Sequence, residues 1–121
     1  MSTFSDDDLL ARTAELAMLF DCYGELLAEK QRLYLTLHLQ EDWTLAEIAD
    51  EHTVSRQAVY DQVKRSEQLL VQYEEKLQLL AKHHARQKLY EDLMKQLNRT
   101  NAPKSVEVVV KEWLLKLKQH D

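Results

Sequence analysis

Arg56, Gln57, Tyr60, Lys64 and Arg65 are gathered in the run VSRQAVYDQVKR, residues 54–65, and their chemistry is that of reading a nucleic acid. An arginine fork matches the acceptor edge of guanine and a glutamine amide matches adenine, while lysine and arginine heads meet phosphate oxygens. On a helix whose inner side is Val59 and Val63, the outward set is Arg56, Gln57, Tyr60, Asp61 and Lys64. Ser55 stands directly before that helix and is a residue type that caps one. The same face also carries repulsion. Residues 44–65 hold three Lys or Arg against four Asp or Glu, with Asp50, Glu51 and Asp61 among the latter. Specific duplex binders are more basic, so a merely solvated face competes as the reading of these residues.

Other chemistry finds little support. Gly24 is the only glycine, which leaves no glycine-rich phosphate loop, and no Ser/His/Asp or paired-carboxylate constellation stands out. We expect no enzyme, no catalytic residues and no cofactor. His83 and His84 are adjacent, so on a helix they point about 100° apart, and no Cys or acidic residue stands at ligand spacing. No metal site is expected. The single cysteine, Cys22, has no internal disulfide partner and sits among Phe20, Tyr23 and Leu26, where a small buried apolar residue would fit.

The elements that must position the outward set are helices. One Gly and one Pro in 121 residues, beside abundant Leu, Ala, Glu, Gln and Lys, favour long helices and leave few turns for a sheet. We expect an all-α fold. Ser5 should cap a first helix whose acidic start, Asp6 to Asp8, complements the helix dipole. Its buried stripe should be Leu9, Thr13, Leu16, Phe20, Tyr23 and Leu27, with Gly24 loosening its end. Residues 29–40 alternate leucines as a strand would, but their types favour a helix.

Thr44 and Glu47 form a T-x-x-E capping box at the head of the next helix. Leu45, Ile48 and Ala49 should then point inward, Val54 should fill a turn at Thr53, and Val59 and Val63 should anchor a second helix. That is the grammar of a helix-turn-helix spanning residues 44–65, with Thr53 where Gly is usual. The stripe continues through Ser66, Leu70, Tyr73, Leu77 and Leu80, longer than a trihelical module needs. The rhythm breaks at KHHARQK, residues 82–88, where a fifth helix should start. After a loop at 98–103, Val106, Val109, Val110, Trp113, Leu114 and Leu117 form a last apolar stripe. Core packing is expected of Trp43 and Trp113, with a partner-binding surface as the alternative for the last helix.

The expected division is a helix-turn-helix domain over 1–70 and a helical extension over 71–121, packed on the long helix or on a second subunit. A homodimer follows from that reading. Charge divides along the same line: 6 Lys or Arg against 14 Asp or Glu in residues 1–70, and 10 against 7 in residues 71–121. The acidic half repels phosphate at long range, so duplex binding needs local cations or a partner. The start MSTFSDDD lacks the features of a secretory signal, and no apolar run is long enough for a membrane span. A cytoplasmic protein without membrane insertion is expected.

Three runs carry a family resemblance: LAEKQR at 27–32, TLAEIA at 44–49 and VSRQAVYD at 54–61. From Leu19 to about Leu80 the chain closely resembles the YlxM family of Gram-positive bacteria, whose helix-turn-helix looks like region four of bacterial sigma factors. The resemblance implies a trihelical module followed by a long helix and C-terminal helices. It also implies a regulatory or accessory role in the signal recognition particle pathway, with contact to Ffh, the particle's RNA, or DNA. The carried-over nucleic-acid face is Arg56, Gln57, Lys64 and Arg65. Two other functions stay open beside it. One is a sequence-specific DNA-binding transcription regulator; the other is a helical protein-docking module that binds no nucleic acid.

Overall fold

A computed structural model of the chain describes residues 6–120, with side chains from Asp8 onward; the expected Ser5 cap lies outside the described residues. The elements are α1 (Asp6–Tyr23), a 3₁₀ turn (Gly24–Leu26), α2 (Glu29–Leu35) running into a π-helical turn (Thr36–Gln40), α3 (Leu45–His52), α4 (Arg56–Leu77), α5 (Leu79–Arg99) and α6 (Lys104–Gln119). There is no strand among the described residues. The fold is all-α, as composition requires. Two compact units divide the chain, residues 1–80 and residues 81–121.

In the first unit α4 is the central element, and α1, α2 and α3 all pack on it. Val59, Val63 and Leu70 of α4 are buried with Ile48 and Ala49 of α3, Tyr34 and Leu35 of α2, and Leu16, Leu19, Phe20 and Tyr23 of α1. Each large aliphatic side chain removed from water contributes about 1.5–3 kcal/mol, so this shared seam fixes the helix-turn-helix against its supports. The expected stripe of α1 is correct only in its second half. Leu9 is 52% exposed and Thr13 is also exposed, because the first turns of α1 run past the elements that cover Leu16 to Leu27. Leu19, absent from the expected stripe, is buried.

Gly24 lies close under Phe20: a Cβ at position 24 would stand 3.0 Å from the Phe20 ring, so a side chain there would require the ring to shift by a few tenths of an ångström. Cys22 departs from expectation. It faces outward and is exposed, since Phe20 and Tyr23 take the inward positions on either side of it. Partial burial of the sulfur, together with the Glu74 and Asp21 carboxylates, raises its pKa above 9.0.

The ambiguous leucine alternation at 33–39 is helical, and its irregularity has a local cause. Thr36 Oγ1 donates to Arg32 O at 2.8 Å and Glu41 N–H donates to Thr36 O at 3.2 Å, which widens the last turn. That widened turn brings both Leu37 and Leu39 against the core.

The long stripe from Val59 to Leu80 is not one helix. Gln78 adopts a left-handed conformation (φ 54°), ending α4 four residues before the expected break, and the 82–88 run lies inside α5 without interruption. Leu77 is accordingly exposed, while Leu80 rejoins the core from the start of α5. In the second unit, Asn101 (φ 49°) and Pro103 make the turn into α6. Along α6 Leu114 is buried, whereas Val106, Val109, Trp113 and Leu117 are 47–58% exposed. Core packing of Trp113 is therefore not observed.

Candidate nucleic-acid interface

The interface begins with what holds the two motif helices. Trp43 N–H donates to Leu37 O at 2.9 Å, and His38 Nδ1 lies 2.9 Å from Trp43 O, so the connection before α3 is tied to the turn that precedes it. Trp43 is half-buried against the core, as expected. Thr44 then caps α3: its Oγ1 accepts from Glu47 N–H at 3.1 Å and donates to Glu47 Oε1 at 3.1 Å. Leu45 is half-buried and Ile48 and Ala49 are buried, which places the expected inward set inside. At the far end of α3, His52 packs its ring on buried Tyr34 with centroids 5.4 Å apart.

The turn is a helix-terminating motif built on Thr53. Thr53 N–H reaches Asp50 O at 3.4 Å and Val54 N–H donates to Ala49 O at 3.0 Å, with Thr53 left-handed at φ 55° and ψ 45°. A β-branched residue in that region is strained by about 1–2 kcal/mol. Half-buried Val54 fills the turn, and Ser55 caps α4 through an Oγ that accepts from Ala58 N–H at 3.0 Å. The first turn of α4 is thereby fixed at Arg56.

Ser55, Arg56, Gln57, Tyr60, Lys64 and Arg65 are all exposed; Gln57, Lys64 and Arg65 project away from buried Val59 and Val63, whereas Arg56, three and seven residues before them, lies on their side of α4 and is exposed at its first turn. The structure also supplies partners that spacing alone had not assigned. Gln57 Nε2 donates to Asp61 Oδ1 at 2.8 Å. Lys64 Nζ lies 3.6 Å from Glu67 Oε2 and 5.6 Å from the Tyr60 ring centroid. The signal for the first was available in the four-residue Gln–Asp step, a favourable pairing on a helix surface worth a few tenths of a kcal/mol, roughly 0.2–0.5. A contact that weak yields readily to a ligand. The arrangement offers a fork, an amide and two cations along about three turns of one rigid helix, with Asp61 set among them.

Among the described residues no group of three or more His, Cys, Asp or Glu could hold a metal ion, and no helix is long and apolar enough to cross a membrane.

Comparison with known proteins agrees with this geometry. Residues 10–109 match the UPF0122 family, described as "Putative helix-turn-helix protein, YlxM / p13 like". A UPF0122 protein of Listeria welshimeri is 42% identical over 113 residues, covering 93% of this chain and all of its own length. A UPF0122 protein of Halalkalibacterium halodurans is 51% identical over 85 residues, 70% of this chain and 78% of its own. One of Exiguobacterium sibiricum is 53% identical over 89 residues, 74% and 83% respectively. The match takes in α2 through α5 and the whole helix-turn-helix, and on that ground the chain belongs to the UPF0122 family of YlxM/p13-like helix-turn-helix proteins.

Proposed function

We propose that this protein is a regulatory or accessory component of the signal recognition particle pathway that uses the outward face of α4 to engage nucleic acid. The carrying observation is the exposure of Arg56 and Gln57 on a first helical turn fixed by the Ser55 cap. In this reading Arg56 and Gln57 meet base edges, Lys64 and Arg65 meet phosphate, and Ser55 and Tyr60 border the contact. The pathway rests on the resemblance to YlxM, and its partners are Ffh and the particle's RNA in the cytoplasm.

Affinity purification of the tagged chain from its own cells at physiological salt, with identification of bound protein, RNA and DNA, tests the proposal. Enrichment of Ffh or particle RNA, lost when Lys64 and Arg65 become Glu, is expected. A discrete set of duplex sites without either would instead make the protein a sequence-specific transcription regulator, which the helix-turn-helix placement of Arg56 and Gln57 favours. Insensitivity to both Lys64→Glu/Arg65→Glu and Arg56→Ala/Gln57→Ala would leave a protein-docking module, a reading favoured by the acidity of residues 1–70.

A further inference from the structure

Among the described residues, each unit carries an exposed apolar surface whose charged surroundings complement those of the other. In the first unit the groove between α1 and α4 has a floor of Leu9, Leu16, Leu19 and Val71, of which Leu9 is 52% and Val71 38% exposed. The α1 apolar stripe thus continues outward to half-exposed Leu9. Among the described residues that rim this groove, Asp8, Glu15, Glu67 and Glu75 outnumber Arg12 and Lys64 by two. In the second unit, α6 presents Val106, Val109, Trp113 and Leu117 at steps of three, four and four, the spacing of one helix face. Four lysines against two glutamates give α6 an excess of two positive charges.

The lengths agree as well. Val106 to Leu117 spans about 16 Å of helix and Leu9 to Leu19 about 15 Å of groove wall.

We propose that α6 of one copy seats in the α1–α4 groove of a second copy, and that the exchange is reciprocal, forming a two-fold dimer. An amphipathic helix in an apolar groove is a common recognition mode, and two-fold symmetry makes the contact twice for one association. Trp113 is the central anchor, a residue type that dominates such contacts. The basic helix meets the acidic rim, which also disfavours pairing two α6 helices of like net charge.

Sedimentation of the full chain at micromolar concentration should give a mass near twice 14.3 kDa. Trp113→Glu should weaken the dimer by about 30-fold or more, with an unchanged helical circular-dichroism spectrum because Trp113 is 58% exposed. A benzoylphenylalanine at position 113, in mixed light and isotope-labelled chains, should cross-link between chains onto α1 or α4 within the groove. A monomeric parent chain, a dimer indifferent to Trp113→Glu, a cross-link confined to one chain, or a cross-link onto a second α6 would each overturn the proposal.

Discussion

The Tyr23 hydroxyl donates to Glu74 Oε1 at 2.6 Å, joining the end of α1 to the last turns of α4 across 51 positions of sequence. The same hydroxyl accepts from Leu79 N–H at 3.0 Å, and Glu74 Oε1 also accepts from Leu80 N–H at 3.0 Å. Two of the orphan amides at the start of α5 are therefore satisfied by side chains, and the left-handed Gln78 joint is held by them rather than by backbone alone. Tyr23 is 1% exposed, so the joint is shielded from solvent.

Tyr23→Phe keeps the ring and removes only the hydroxyl. It leaves the Leu79 amide without this acceptor, and the expected loss of stability is about 1–3 kcal/mol. Urea unfolding followed by circular dichroism measures it. A change within error would mean that water enters the joint and replaces the hydroxyl.

Burial raises the Tyr23 phenol above its ordinary pKa of 10.0, and the hydrogen bond to Glu74 raises it further. Between the unfolded and the folded pKa, the folded chain retains a proton that the unfolded chain has lost. Stability contributed by this group is therefore complete below pH 10 and is lost as pH rises through the folded pKa. Tyrosinate absorbance should show a late ionisation of Tyr23 together with unfolding, and Tyr23→Phe should remove that contribution.

Thr53 pays a backbone strain that the turn does not need. Its side chain is exposed while its φ is 55°, so Thr53→Gly relieves the left-handed penalty, partly offset by the greater freedom of glycine when unfolded. A net gain of about 0.5–1 kcal/mol is expected, seen as a higher urea midpoint with unchanged slope. A loss instead would show that the Thr53 side chain makes a contribution larger than its strain.

The sequence made the helix-turn-helix legible because several local signals agreed there. Thr44 and Ser55 are cap types at cap positions, Ile48, Ala49, Val59 and Val63 are buried together, and Arg56, Gln57, Tyr60, Lys64 and Arg65 remain exposed on α4. The joint at Gln78 was illegible for the opposite reason. Nothing in the run QYEEKLQLLAK breaks a helix by propensity; the break is held by Tyr23, whose partner lies 51 positions away. The exposed first half of α1 escaped, and the exposed face of α6 was legible only as the alternative to core packing, since periodicity reveals an apolar stripe but not whether anything lies over it. The exposed residues of α4 were legible as a set, and the pairing of Gln57 with Asp61 was available in their four-residue step but was not drawn from it.

That pairing separates two ways in which Asp61 can oppose a nucleic acid. Asp61→Asn removes the charge and retains an oxygen that can accept from Gln57, so any gain is Coulombic: about two- to fivefold in affinity at low salt, vanishing as salt rises. Asp61→Ala removes the acceptor as well and releases the Gln57 amide. If Gln57 reads a base, this variant gains further affinity that persists at high salt, and adding Gln57→Ala cancels only that second part. Dissociation constants measured across a salt series, for the nucleic acid recovered with the native protein, resolve the two. Equal affinities for the parent, Asp61→Asn and Asp61→Ala at every salt concentration would place the contact away from the outward face of α4.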